Sequence, residues 1–323
     1  MRHALLFPLM TLAFGLASCG QRRPQDAGAT APGPVFDTAF WQHWGDGKAE
    51  VAAYDLIEPR YGEPRKGVAV TIFVTEPFSR SLRVKADSGR HAARDVFPVM
   101  KLNLIKDYAT GIYDYNVMLS SFVALERSGG RPAGSAVKVS YSSQEWCGHV
   151  YSQLGFDPLG IRYDVHSYFD GEADQRRDLD HPQEGIAEDL LLLWARGMAA
   201  PVLQPGESRT APLLRSLQYS RDRHTPPAWT RGTLARAAAA RRVQVPAGEF
   251  EAEIFTAELS GGPSWRVEVE ASAPHRILRW ETSDGVRAEL MGAARLEYWK
   301  MNRNGFEGAL SQLGLKPRPP RTP

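Results

Sequence analysis

The 323-residue chain has few of the features that mark the common function classes. It contains only two cysteines, Cys19 and Cys147, and its 39 basic residues nearly balance 37 acidic ones. Because no basic stripe interleaves with aromatic residues, nucleic acid is not an expected partner. The apolar run near the N-terminus, from Ala4 to Leu16, is too short to span a bilayer as a helix.

Sequence signatures of catalysis and cofactor binding are missing as well. There is no Gly-x-Ser-x-Gly elbow, papain-type cysteine motif, phosphate loop, dinucleotide fingerprint or zincin motif. The acidic stretch HSYFDGEADQ, from His166, lacks the residue order of an EF-hand, and His149, His166 and Cys147 are too scattered for zinc. The sequence therefore predicts no metal and no cofactor, and it favours a non-catalytic role.

The N-terminus, MRHALLFPLMTLAFGLASCG, has the layout of a secretory signal. Its residues 16–19, Leu-Ala-Ser-Cys, resemble the bacterial lipobox, whose cysteine becomes the lipidated first residue of the mature protein. The resemblance implies a signal peptide over 1–19 and a lipid anchor on Cys19, and the alternative is an ordinary cleaved signal with a chance cysteine. Because Gly20 rather than Asp follows, we expect attachment to the outer membrane, facing the periplasm.

Composition divides the rest of the chain into three parts. Residues 20–39 are rich in Gly, Pro and Ala, which indicates a flexible tether. Residues 40–300 form the expected β-rich domain, with two sheet halves that could meet near 180–230. Residues 301–323 include LGLKPRPPRTP and are predicted to be a frayed C-terminal tail.

Alternation with a period of two dominates the domain and predicts strands. In the first half the runs include 68–74, 99–105, 111–124, 136–151 and 162–169. In the last third, runs over 243–245, 250–259, 265–271, 277–282 and 286–299 are separated by PAGE, SGGP, SAPH and SDG. Connections this short favour antiparallel hairpins over parallel pairing.

The predicted fold class is therefore mainly β with minor α. We expect a curved antiparallel sheet or incomplete β-barrel built of hairpin meanders, with one or two packing helices. The clearest helix is predicted from Pro182 to Ala199, with early acidic residues and a shared apolar face. Such a helix could fill the concave side of the sheet.

Several stretches resemble a family of uncharacterised bacterial periplasmic lipoproteins. They are YGEPRKGVAVTIFVTEPF from Tyr61, VMKLNL from Val99, TGIYDYNVM from Thr110, SSQEWCGHVY from Ser142, and SYFDGE from Ser167. Members of that family sometimes carry the label septum formation inhibitor Maf. The label does not fit, because Maf proteins are cytoplasmic nucleotide pyrophosphatases with a Ser-Pro-Arg-Arg type motif, which is missing here. VPAGEF, from Val245, with its following hairpins is also similar to periplasmic sheet proteins that handle lipids or lipoproteins.

The stretch around Cys147 is the main candidate for chemistry. On an unbroken strand over 136–151, Glu145, Cys147 and His149 would share one face. His149 could then activate the thiol and Glu145 could orient the imidazole, as in a thiol-dependent envelope hydrolase or transferase. The interpretation that we favour is a buried cysteine that acts as a small apolar residue, and a cysteine in a ligand pocket is a further alternative.

Aromatic residues supply the candidate binding site. Trp146, Tyr113, Tyr115, Tyr168 and His166 could line a groove for an apolar ligand, although such residues also pack cores. The sequence thus favours a lipid-anchored protein that binds an apolar ligand, an envelope component or a protein partner, and attaches to the membrane through its N-terminal lipid.

Overall fold

The computed structural model describes residues 33–317 of the chain. Within this range the α-helices are α1 (Thr38–Trp44), α2 (Leu191–Ala195) and α3 (Leu217–Arg223), and 3₁₀ turns cover Ala93–Asp95, Glu188–Leu190, Tyr298–Lys300 and Glu307–Leu313. The strands are β1 (Ala49–Arg60), β2 (Glu63–Ser79), β3 (Val96–Thr110), β4 (Tyr113–Ala124), β5 (Ala136–Glu145), β6 (Gly148–Phe156), β7 (Gly160–Ser167), β8 (Gln175–Asp180), β9 (Ile186–Ala187), β10 (Ser208–Leu214), β11 (Trp229–Arg236), β12 (Arg241–Val245), β13 (Gly248–Leu259), β14 (Trp265–Glu270), β15 (Ile277–Thr282) and β16 (Arg287–Leu296). In this part of the chain, no helix is long and apolar enough to cross a membrane.

All sixteen strands belong to one sheet. Strands β1 to β8 pair in chain order as a meander. Strands β10 to β16 form a second meander in which β13 pairs with both β11 and β12, and the two are joined where β1 pairs with β16. Neighbouring strands are antiparallel except at β9 and β10, which pair in parallel. The predicted antiparallel sheet of hairpin meanders is therefore confirmed.

The sheet curls so that its two edges approach each other without pairing. The edge strands β8 and β9 are consecutive in the chain, and only residues 181–185 connect them. A connection of this length reaches at most about 20 Å. The Trp229 indole on β11 also donates a hydrogen bond of 2.9 Å to the Asp180 carbonyl on β8. The structure is thus an incomplete barrel, as expected from the sequence.

The helical segment 188–195 occupies the concave side of the sheet. All eight of its side chains are buried. The part that forms α2, LLLWA, has no polar face, and such helices are usually buried. The helix predicted over Pro182–Ala199 is shorter in the structure, because Ile186 and Ala187 pair with β10 and Gly197 ends the helix at a φ of 70°. Strand pairing therefore overrides helical propensity at its N-terminal end.

Arg196 fixes the end of α2 to the wall of the sheet. Its guanidinium contacts the Glu50 carboxylate on β1 through two hydrogen bonds of 2.6 and 3.2 Å, and it donates a third, of 2.9 Å, to the Pro274 carbonyl. The guanidinium carbon also lies 4.3 Å from the centre of the Phe73 ring. Because both charged side chains are buried, the ion pair holds the internal helix against β1.

The C-terminal segment covers an apolar patch on the outer face of the sheet. Leu313 is buried against Ala49, Val51, Ile72 and neighbouring residues of β1 and β2. At Gly292 on β16, a Cβ atom would lie only 2.8 Å from the Leu313 backbone, so the close approach requires glycine. The predicted tail over 301–323 is thus packed against the sheet at least through residue 315. Strand β1 is apolar on both faces, so without this segment its outer face would expose apolar side chains to water.

Candidate ligand-binding site

The stretch predicted as an unbroken strand over 136–151 is a hairpin. Strand β5 ends at Glu145, β6 begins at Gly148, and Trp146 and Cys147 form the turn. His149 is therefore paired with Gln144, and both are exposed. The hairpin removes the shared strand face on which the proposed arrangement of Glu145, Cys147 and His149 depended.

Cys147 is exposed, so the expectation of a buried structural thiol is wrong. Its backbone N–H donates a hydrogen bond of 2.6 Å to Glu145 Oε2. Hydrogen bonding and the negative charge of Glu145 raise the pKa of the Cys147 thiol. A nucleophilic cysteine needs a cationic neighbour that lowers this pKa, so the electrostatics at the turn disfavour the thiolate.

The turn brings three of the predicted aromatic residues together. The rings of Tyr113 and Trp146 stack with their centres 6.0 Å apart, and Tyr115 lies 5.9 Å from Tyr113. Tyr115 in turn stacks on Tyr108 at 5.1 Å. Because alternate turns of a meander lie at the same end of the sheet, this aromatic row follows the ends of β3 to β6.

The other two predicted residues lie farther along the same end. The exposed Tyr168 ring covers Gly148, where an added Cβ atom would lie 2.5 Å from it. His166 is exposed and contacts Asp174, with 2.8 Å between the ring nitrogen Nδ1 and the carboxylate. Neither residue lines the large cavity described next.

A cavity of about 390 Å³ lies between the internal helix, α3 and the sheet. Arg60, Tyr61 and Gly62 of the β1–β2 turn line it, and the exposed Tyr61 and Gly62 mark an opening to solvent there. Leucines of β3, β4 and α2, together with two tryptophans and a valine from the β14–β16 region, form its apolar wall. These residues are Leu102, Leu104, Leu119, Leu192, Trp265, Trp280 and Val286.

Glu58 brings a buried carboxylate to this wall. Its Oε1 atom accepts hydrogen bonds from Lys106 Nζ at 2.8 Å and from Gln218 Nε2 at 2.7 Å. Its Oε2 atom is buried and has no hydrogen-bond partner among residues 33–317. The carboxylate is thus held in place through one oxygen and free at the other.

Glu188 and Asp189 bring two more carboxyl groups from the internal helix. Glu188 accepts hydrogen bonds from the Trp265 indole at 2.9 Å and the Ser216 amide at 3.0 Å, and its carboxylate lies 3.6 Å from Arg215. Burial raises the pKa of Glu188 even so.

The Asp189 carboxyl group has fewer partners to offset the cost of its burial. Its Oδ2 atom accepts one hydrogen bond of 3.3 Å from the Leu217 amide, and Oδ1 is buried without a partner in the described part of the chain. Burial, reinforced by the nearby charge of Glu188, raises the pKa of Asp189 well above its usual range. Burial therefore shifts the equilibrium of this carboxyl group toward its neutral form.

The mouth of the cavity joins the aromatic row. Arg60 forms an ion pair with Asp222 of α3, and its guanidinium carbon lies 4.9 Å from the Tyr61 ring centre and 5.1 Å from that of Tyr115. The hydroxyl groups of Tyr61 and Tyr115 are 2.6 Å apart. Of the predicted aromatic residues, Tyr115 therefore lies beside the cavity entrance, and none of the five lines the interior.

Sequence reasoning missed the residues that line the interior. Glu58 lies at the end of a strand, where acidic residues are usually solvated. The acids at 188 and 189 fit the first turn of a helix equally well. The available signal was their position directly before the run LLLLW, which is too apolar for a surface helix.

Comparison with known proteins adds little. No family model matches the chain, and no curated protein matches it. One similar solved structure is the crystal structure of a β-barrel-like protein of domain of unknown function DUF1849 from Brucella abortus. The match covers 77% of this chain and 98% of that chain, with 9% sequence identity and a TM-score of 0.44.

Proposed function

We propose that this protein binds an apolar ligand, without catalysis, inside its curled sheet. The observation that carries the proposal is the cavity of about 390 Å³ with its wall of leucine and tryptophan side chains. Small-molecule sites are concave, mostly apolar and about 300–1,000 Å³ in size. The ligand enters beside the β1–β2 turn, between Tyr61 and α3.

The alternative, a thiol-dependent hydrolase or transferase, has less support. Cys147 lies on an exposed turn where Glu145 raises the thiol pKa. His149 is opposite Gln144 across the hairpin. Geometry and electrostatics therefore both disfavour thiol chemistry at this turn.

A matched pair of substitutions on β4 tests the cavity. Leu119 lines the cavity, whereas the preceding residue, Met118, is exposed on the opposite face of the same strand. Leu119→Trp places a large ring in the cavity, and Met118→Trp places the same ring outside. With the neutral apolar dye N-phenyl-1-naphthylamine, we expect saturable fluorescence enhancement by the wild type and Met118→Trp, and its loss in Leu119→Trp.

Val286→Trp provides a second block from the opposite wall. Circular dichroism and thermal unfolding establish that each variant is folded before dye is added. If folded Leu119→Trp and Val286→Trp bind the dye as the wild type does, the cavity is not the binding site. If the wild type itself shows no saturable binding, the proposed function fails.

We also propose that the protein is anchored by lipid on Cys19 at the periplasmic face of the outer membrane. The support is the signal over 1–19 with its lipobox-like end, which lies outside the described residues. The tether predicted over 20–39 ends earlier than expected, because Phe36 packs against the core and α1 begins at Thr38; the residues that precede them would let the binding domain work near the bilayer surface. Cys19→Ser should abolish palmitate labelling and release the protein from the membrane fraction, and unchanged labelling would refute the anchor.

A further inference from the structure

We infer that the ligand carries an ammonium group, which Glu58 and Asp189 receive within the cavity. This inference rests on the proposed binding function and adds the chemistry of the ligand head. Both residues line the cavity, and their exposed fractions are only 3% and 6%. Each also has one buried carboxyl oxygen without a partner among the described residues.

Unpaired buried carboxyl oxygens are uncommon because nearly all buried polar groups find hydrogen-bond partners. Glu58 Oε1 accepts two hydrogen bonds, from Lys106 and Gln218, and these contacts hold the side chain so that Oε2 stays free. Asp189 is held in the same way by the Leu217 amide, which leaves Oδ1 free. The cavity thus has two carboxyl side chains with an unpaired oxygen beside its leucine and tryptophan wall.

The charge balance around the cavity indicates what these acceptors receive. Glu58 is paired with Lys106 and Glu188 with Arg215, at 2.8 and 3.6 Å. Among residues 33–317, Asp189 is held by a backbone amide instead of a cation. A ligand cation would supply the missing positive charge and let Asp189 ionise.

An ammonium group fits this arrangement better than other common ligand heads. It carries one positive charge and three donors, enough for an acceptor on each residue, and an attached alkyl chain would lie against Leu104, Leu119 and Leu192, which line the same cavity. A carboxylate ligand would instead face like charge from Glu58 and Glu188. A hydroxyl group can donate one hydrogen bond but brings no positive charge that would favour the ionised form of Asp189.

Three probes with the same chain test the inference. Dodecylamine, dodecanol and dodecanoate, all below micelle-forming concentrations, compete with N-phenyl-1-naphthylamine at pH 7. Since hydrogen bonds to charged groups are about twice as strong as neutral ones, we expect dodecylammonium to displace the dye at about tenfold lower concentration than dodecanol. We expect dodecanoate to be the weakest competitor.

Removal of either acid should weaken the preference without closing the cavity. In Glu58→Gln and in Asp189→Asn, the advantage of dodecylammonium over dodecanol should fall to about threefold or less, while dodecanol competes as before. The matched control is Glu63→Gln, which removes the same charge from an exposed position on the hairpin that carries Glu58. This variant should keep the wild-type preference.

The outcomes separate this inference from the proposed function. Equal competition by all three probes, or a preference for dodecanoate or dodecanol, overturns the ammonium assignment while dye binding still supports the cavity. A preference that survives both acid substitutions overturns the assigned residues. Asparagine has nearly the shape of aspartate and avoids the cost of a buried charge, so Asp189→Asn should fold even if Glu58→Gln does not.

Discussion

The ion pair between Arg196 and Glu50 allows a quantitative test of how the internal helix is held. Arg196→Met removes two hydrogen bonds to the carboxylate, one to the Pro274 carbonyl, and the contact with the Phe73 ring. Glu50 then remains buried without its cation. Breaking a buried pair by removal of one partner costs about 3–5 kcal/mol, a large part of the 5–15 kcal/mol that stabilises a typical native protein.

Replacing both partners should have the opposite outcome. Glu50→Leu alone leaves Arg196 buried and unpaired, so we expect a loss of about 3–5 kcal/mol here too. In Arg196→Met/Glu50→Leu no charge stays buried, and apolar replacements of buried pairs are often neutral or stabilising. The double variant should therefore lie within about 1 kcal/mol of the wild type or above it.

Urea unfolding at pH 7, followed by tryptophan fluorescence, gives the four free energies of this double-mutant cycle. The exposed ion pair between Lys300 and Glu297, at 2.7 Å, is the control. Lys300→Met should change the stability by no more than about 1 kcal/mol. If both buried single substitutions cost less than that, or if their costs simply add in the double variant, the pair does not hold the helix as argued.

Three further perturbations follow from individual contacts. Because the folded state raises the pKa of Asp189, stability should fall as pH rises above its ordinary value of 3.8, by up to about 1.4 kcal/mol per pH unit, and Asp189→Asn should flatten urea-derived stability between pH 4 and 7. Trp229→Phe loses the hydrogen bond to Asp180 across the sheet gap and should cost about 0.5–1.5 kcal/mol, with faster amide exchange in β8. Glu145→Gln should lower the Cys147 thiol pKa and speed iodoacetamide labelling at pH 7, and an unchanged rate would show that the carboxylate does not control the thiol.

The fold could be predicted because its determinants are local. Alternating strands such as 99–105 and short connections such as Asp284–Gly285 specify hairpins without any knowledge of distant residues. The sequence also indicated an internal helix. The extent of that helix depended on pairing between Ile186 and Leu213, which no local pattern reveals.

The turn at Trp146 and Cys147 escaped prediction for a different reason. Two-residue hairpin turns usually contain Asn-Gly, Asp-Gly or Gly-Gly. Here the glycine, Gly148, comes after the turn as the first residue of β6. Alternation over 136–151 therefore looks continuous through the turn. Because the turn was missed, Cys147 was interpreted as buried, whereas the structure shows it exposed.

The binding site could not be predicted because its parts meet only in the folded sheet. Glu58 comes from the first hairpin, Asp189 from the internal helix and Trp280 from the second meander. Nothing in the sequence around any of the three distinguishes it from a residue without a role in binding. Their meeting requires the sheet to curl and the chain to pass through its centre, which are both tertiary events.

The internal helix links the stability of the fold to the binding site. A closed barrel of sixteen strands would enclose a water-filled channel, whereas here the buried segment 188–195 packs inside the sheet and borders the cavity. The same segment supplies Asp189, whose burial is unfavourable while it lacks a cation. A ligand that pairs with Asp189 therefore removes a destabilising feature of the helix that fills the sheet. Since any ligand that binds only the folded state stabilises it by mass action, occupancy should stabilise the internal helix and the two meanders that contact it together.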